Sequence, residues 1–255
     1  WGVTFVEKDD FQLLIINSVF YHHNTSESVK GKVSTSQIAK ITKYLESNKT
    51  EKIKIALLHH HPVQHSRLDL GTDDVVENGE KLLDVLAKYS FDIVIHGHKH
   101  DPWLRNQITE SQRNITIFSS GSFSATSNII FTSKRNTFHI VEINKNSKEV
   151  KGTIATSTFL PKVGWIDKNH DIHGFPPLTG FGYKDSIDKL FLEIKDLVGD
   201  RKIVNWSEIT NLLPDIYHLT PSQTEELEET LNKNRLIISS RISLKPEIIS
   251  NPNGK

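Results

Sequence analysis

The chain has 255 residues, 36% hydrophobic and 24% charged, the composition of a soluble globular protein large enough for a substantial core. Its 31 basic and 31 acidic residues balance, so no broad charge draws it to nucleic acid or to an anionic membrane. Cysteine is absent, which excludes disulfides and thiolate metal sites, and no apolar run approaches the ~20 residues of a membrane span. No basic segment followed by an apolar core marks a signal peptide, so a cytoplasmic location is expected.

In chain order, Thr4–Glu7 and Phe11–Asn17 read as a hairpin around Lys8-Asp9-Asp10. Tyr21-His22-His23-Asn24 follows as a loop, its histidines read as solvated. Ser34-Thr35-Ser36-Gln37 is a capping box, and Ile38, Ile41 and Leu45 then share one helical face up to about Asn48. Ile53–Leu58 is an apolar strand ending in His59-His60-His61-Pro62. A polar loop, Gln64–Asp74, leads to a helix capped by Asn78, with Leu82, Leu83, Val85 and Leu86 on its apolar face. Strand Phe91–Ile95 then ends in His96-Gly97-His98-Lys99-His100. Strand, helix, strand predicts a right-handed parallel crossover. Asp101–Arg113 reads as a loop, Ile115–Phe118 as a strand before Ser119-Ser120-Gly121-Ser122, and Phe138–Ile143 with Val150–Ala155 as a hairpin.

After Ala155 the pattern changes. Phe159–Gly182 is rich in glycine and proline and reads as irregular. Ile187, Leu190, Phe191, Ile194, Leu197 and Val198 form a helical stripe ended by Gly199. Trp206 to Ile216 suggests a helix disturbed by Pro214, and Thr220-Pro221-Ser222-Gln223 starts another. The expected domains are 1–158, an irregular linker at 159–184 and a mainly helical extension at 185–255, open to oligomerisation or to a place in a larger multidomain protein.

The two strand-end histidine clusters are the chemical signal. Adjacent parallel strands deliver their C-terminal loops to one crevice, and neutral imidazole is the commonest metal ligand. If the segment stays extended, His98 and His100 project to one side, while Gly97 allows a tight turn near a bound group. Imidazoles suit zinc, iron, manganese or nickel rather than magnesium or calcium. Three of them could hold one catalytic zinc, or form half of a two-metal site. His65 and Arg67 could line the entrance, Ser119–Ser122 could approach a phosphate, and Trp103 could stack on a base.

His59-His60-His61-Pro62, a helix, then Gly97-His98-Lys99-His100 resembles the C-terminal half of the calcineurin-like metallophosphoesterases, with the look of their bacterial cyclic-nucleotide phosphodiesterase branch. The Gln37-containing helix before the first cluster and Gly121-Ser122 after the next strand agree with that order. The resemblance covers about residues 1–155. It implies an αββα sandwich, two divalent or trivalent metal ions (manganese, iron, zinc or nickel) and hydrolysis of a phosphoester by metal-bound hydroxide. It makes His59 and His98 ligands of one metal and His100 of the other, all three catalytic. His60 and Trp103 would contact the phosphoester substrate. A nuclease of the same superfamily and a non-catalytic scaffold are the alternatives, and neutral charge disfavours nucleic acid. The family's early Asp-x-His, Gly-Asp-x-x-Asp and Gly-Asn-His-Asp/Glu motifs are absent here. Either the N-terminal part of the domain lies outside this sequence, as the missing initiator methionine suggests, or the chain is a degenerate relative. Alone, it should bind metal weakly and hydrolyse nothing.

Overall fold

A computed structural model describes residues 2–24, 30–64, 75–125, 135–146, 149–167, 175–199, 201, 203–234 and 236–239. The chain divides into two compact units. One comprises Trp1–His139, Lys145–Val150 and Ser157–Ile166, the other Ile140–Asn144, Lys151–Thr156 and Asp167–Lys255.

The first unit is built on a six-stranded sheet. Its strands are β1 (Val3–Glu7), β2 (Phe11–Ile16), β3 (Ile53–Leu58), β4 (Ile93–His96), β5 (Pro102–Ile108) and β6 (Asn114–Ser120), in the spatial order β1-β2-β3-β4-β6-β5. The centre, β2-β3-β4-β6, is parallel, and the edge strands β1 and β5 run antiparallel to their neighbours. Helices α1 (Thr35–Ser47) and α2 (Gly79–Lys88) supply Ile41, Leu45, Leu82, Leu83 and Leu86 to a core that also holds Leu14, Ala56, Val94 and Ile117 from the sheet. The residues of opposite phase are apolar too: Ile15, Leu57 and Ile95 lie side by side in register. Apolar character in both phases is why these strands read as continuous runs.

The Ser34–Gln37 capping box of α1 forms as expected, and Gln37 Nε2 also donates to the carbonyl of Gly2. Asn78 does not cap α2 with its side chain. It takes a left-handed conformation (φ 64°), and its amide nitrogen donates to the Val33 carbonyl. The segment Asp101–Arg113, expected as a loop, contains β5. An edge strand needs a partner on one side only, so it tolerates the polar run Arg105-Asn106-Gln107, and Pro102 occupies its first position.

The irregular reading of Phe159–Gly182 is likewise corrected where the chain is described, and 168–174 lie outside the described residues. A second sheet runs β10-β8-β7 with β9 also on β8, where β7 is Thr137–Asn146, β8 Glu149–Leu160, β9 Gly164–Ile166 and β10 Leu178–Phe181. Gly164 at φ 97° turns the chain between β8 and β9, so glycine here marks a hairpin rather than an irregular linker. In the second unit α3 (Ile187–Val198), α4 (Trp206–Leu212) and α5 (Pro221–Lys233) enclose Leu190, Phe191, Ile194, Trp206, Ile209, Leu227 and Leu231. Pro214 ends α4 and opens a 3-10 turn, Pro214–His218. A short parallel pair, β11 (Ile203–Asn205) and β12 (Ile237–Ser239), completes the unit. Among the described residues no helix is long and apolar enough to cross a membrane.

Candidate metal centre

Leu57 on β3 pairs with Ile95 on the parallel β4, so the two histidine clusters leave the sheet at the same end. The Gly97 N–H donates to the His59 carbonyl at 3.0 Å and ties the two loops together. The segment after Gly97 is not extended. His98 and His100 have φ of 74° and 54°, a left-handed conformation that side-chain-bearing residues seldom take and that collects at functional sites. Gly97 itself has no positive φ, and a Cβ there would meet nothing closer than the His59 carbonyl oxygen at 3.9 Å. The glycine thus leaves open space at the crevice, and the turn is made by the histidines.

The rings form a nest. His59 Nε2 lies 3.2 Å from His98 Nδ1, and one nitrogen from each of His59, His60 and His98 falls within 4.8 Å of the others. Ring centroids are 4.8 Å apart for His59 and His60, 5.1 Å for His59 and His98, and 4.4 Å for His60 and His98. Two nitrogens on one tetrahedral zinc lie about 3.3 Å apart, given bond lengths of about 2.0–2.1 Å, so the His59–His98 edge fits such an ion. Burial lowers the affinity of His59 for a proton, and His100 and His22 lower it further by repulsion, which keeps the ring in its lone-pair form. Among the described residues no carboxylate joins this group. An all-imidazole set suits zinc, nickel or iron before magnesium or calcium.

The sequence-predicted residues distribute as follows. His59, His60 and His98 come together, and His100 stands outside that triad while still acting electrostatically on His59. Trp103, on β5, is partly buried beneath the Arg105 guanidinium, 4.8 Å from its ring centre. The Ser119 hydroxyl donates to the Asp101 carbonyl and that of Ser120 to the His96 carbonyl, so both hold the turn together. His65 and Arg67 lie outside the described residues. His22 was read as solvated, yet its ring stands edge-on to His60 at 5.5 Å and its Nε2 bonds the Lys30 carbonyl at 2.8 Å. The signal available was topological: β2 is parallel to β3, so its C-terminal loop reaches the same crevice. An open pocket beside the nest is lined by Ile15, Leu57, Ile95, His59, Gly97 and Ser120, an apolar floor with an imidazole at its edge.

Nearby, His139 bonds the Ser120 carbonyl through Nε2 at 2.8 Å and stands edge-on to Phe118. Burial pushes its pKa down to about 4. A histidine depressed in the fold contributes stability above its unfolded value, near 6.5, and loses it as pH falls through its folded value. The protein should therefore lose roughly 3 kcal/mol of stability through this group between pH 6.5 and 4. Denaturant melts across that window should show it, and His139→Gln should be flatter by that amount. Parallel pH profiles for the two proteins would refute the assignment.

A family model described as wHTH-Calcineurin_assc matches residues 179–233. No curated protein matches the chain. Among solved structures, a Staphylococcus aureus protein assigned as a 5′-nucleotidase, in complex with alpha-ketoglutarate, is 19% identical. That match covers 57% of this chain and 26% of that one, with a TM-score of 0.30. The anchor in the inner membrane complex of Plasmodium is 16% identical over 64% of this chain and 50% of its own, with a TM-score of 0.32. Zinc-complexed Vps29 of Entamoeba histolytica is 13% identical over 63% and 56%, with a TM-score of 0.25. The chain thus spans between about a quarter and about half the length of these structures.

Proposed function

We propose that this chain supplies the histidine ligands of a metal centre that hydrolyses a phosphoester, with His59 and His98 holding one ion. The observation that carries the reading is the 3.2 Å approach of His59 Nε2 to His98 Nδ1, held by neighbouring parallel strands on a left-handed backbone. When bound, a metal supplies Lewis acidity and lowers the pKa of a coordinated water. The chain's own residues fix the imidazoles, keep His59 neutral, and offer an apolar pocket floor beside them. His100 belongs to a second metal in this proposal, and its remaining ligands are carboxylates from outside the described residues.

Residues 179–233 carry eleven acidic and six basic side chains. On α5, Glu225, Glu226 and Glu229 are exposed. A surface of that sign repels a phosphate backbone. We read this unit as a companion to the phosphoesterase rather than as a nucleic-acid reader.

The test is direct titration of the chain with zinc and with manganese, followed by calorimetry and metal analysis. One weakly held zinc per chain, displaced by chelator, is expected, with manganese weaker still. Hydrolysis of bis-p-nitrophenyl phosphate is expected only from a polypeptide that also carries the carboxylate ligands. A chain that takes up no zinc at any concentration in the titration would end this reading.

A further inference from the structure

Four aromatic side chains of the first unit pack on one another at its surface instead of in its core. Phe123 stacks on Trp165 with ring centres 5.2 Å apart and planes 14° apart. Phe138 and Phe159 stand edge-on to the same indole, at 5.1 and 5.5 Å. All four are exposed, Phe123 by 63% and Trp165 by 39%. Phe159 and Trp165 lie directly opposite each other on the β8–β9 hairpin. Its tip is Pro161-Lys162-Val163, each residue exposed, with Val163 at 69%.

The backbone beneath these rings is braced. Asn136 bonds Ala125 in both directions, its Oδ1 accepting the Ala125 N–H at 3.0 Å and its Nδ2 donating to the Ala125 carbonyl at 3.2 Å. The Asn136 carbonyl accepts the Phe159 N–H at 2.9 Å, and the Thr137 N–H donates to the Ser122 carbonyl at 2.7 Å. The stretches that carry Phe123, Phe138 and Phe159 are thus tied into one support. At the tip, Lys162 holds a φ of 70°, a left-handed conformation that lysine seldom takes and that collects at functional positions. The charge is one-sided: the sequence at 121–139 and 157–166 includes Lys134, Arg135 and Lys162 but no aspartate or glutamate, although the whole chain is balanced.

We propose that this face docks on a bilayer that carries anionic lipid, with Phe123, Val163 and Trp165 entering the boundary between headgroups and acyl chains and Lys162 meeting the headgroup charge. Exposed apolar side chains are ordinarily scattered, and a contiguous group of them marks an interaction face. Its shape and charge select the partner. Three consecutive exposed residues at a hairpin tip make a convex surface, and the stacking of Phe123 on Trp165 leaves no cleft between those rings for a partner's side chain. A folded protein would need a hollow of matching shape, whereas a fluid bilayer deforms around a convex tip. Tryptophan favours the membrane–water boundary, and apolar side chains beside a cation are the combination that holds proteins there. The lack of carboxylates removes repulsion from an anionic leaflet. The proposal is independent of the metal centre.

The experiment is co-sedimentation of the whole chain with phosphatidylcholine vesicles, with and without phosphatidylserine, alongside quenching of tryptophan fluorescence by brominated acyl chains. Wild type should bind the phosphatidylserine vesicles, bind phosphatidylcholine alone more weakly, and be quenched. Trp165→Phe should lose most of the quenching. Val163→Asp should weaken binding about 10-fold or more, the worth of one buried apolar side chain. Lys162→Glu should cut the preference for phosphatidylserine by about 5-fold or more. Ile108→Asp, the same kind of change at an exposed position of β5, should bind as wild type does. Residues 162 and 163 are exposed, so thermal melts of their variants should match wild type. No binding to either vesicle, or binding that Val163→Asp leaves unchanged, would overturn the proposal. So would sedimentation equilibrium showing a wild-type dimer that Val163→Asp dissociates, which would give this face to a second copy of the chain.

Discussion

Replacing His98 by alanine should abolish metal binding while leaving the fold intact. Its ring is at the centre of the nest, 3.2 Å from His59 through one nitrogen and 4.4 Å from the His60 centroid. Loss of a partner that merely orients a ligand lowers metal affinity by roughly 10- to 100-fold. Loss of a ligand should exceed that, because the two nitrogens that define one edge of the site become one. Isothermal titration with zinc reads the affinity, and far-UV circular dichroism with a thermal melt reads the fold. The backbone at residue 98 stays left-handed and somewhat strained with alanine as with histidine, so the melt should move little. A His98→Ala protein that binds zinc as wild type does would place the metal elsewhere, and the 3.2 Å edge would then be only a hydrogen bond between two rings.

Gly180→Ala should be the most destabilising single-methyl change in the second unit. Gly180 lies on β10 with its N–H bonded to the Leu219 carbonyl at 3.1 Å. A Cβ there would stand 2.0 Å from the Tyr217 carbonyl oxygen and 2.4 Å from the His218 Cα. Both are backbone atoms of the 3-10 turn, so no side chain can rotate away. The strand and the turn would have to separate, and His218, whose Nδ1 lies 3.3 Å from the Gly152 carbonyl, would move with them. Overpacking of this kind costs about 3 kcal/mol or more. Chemical denaturation followed by the fluorescence of Trp206, buried in that unit, should show it. Unchanged stability would mean that β10 does not abut the turn as described.

Much of the first unit is legible in the sequence because its elements obey strong local rules. The α1 capping box, the apolar runs of β2, β3 and β4 and the Leu82–Leu86 face of α2 each combine a period with a boundary signal. β5 and β10 are not legible: β5 folds back on β6 as a hairpin but carries the polar run Arg105-Asn106-Gln107, and β10 is a short run whose partner is Gly152–Ala155 of β8. At the site, strand order was enough to bring the two clusters together. The backbone of His98 and His100 was not foreseeable: non-glycine residues adopt left-handed angles only when their surroundings impose them, and nothing local announces it. Ser18 was invisible for a similar reason. A serine after a strand is ordinary, and only the fold brings its hydroxyl 3.0 Å from Nδ1 of His60, 42 residues away.

The left-handed angles at His98 and His100 also bear on protein engineering. Histidine in this region costs on the order of 1 kcal/mol relative to glycine, which enters it freely. A library selected for heat resistance alone would therefore enrich glycine at both positions, each variant gaining stability as it discards an imidazole. On the function proposed above, stabilising this protein by directed evolution would demand selection for metal binding at every round. Without it, the survivors would be sturdier scaffolds from which the proposed ligands had been removed first.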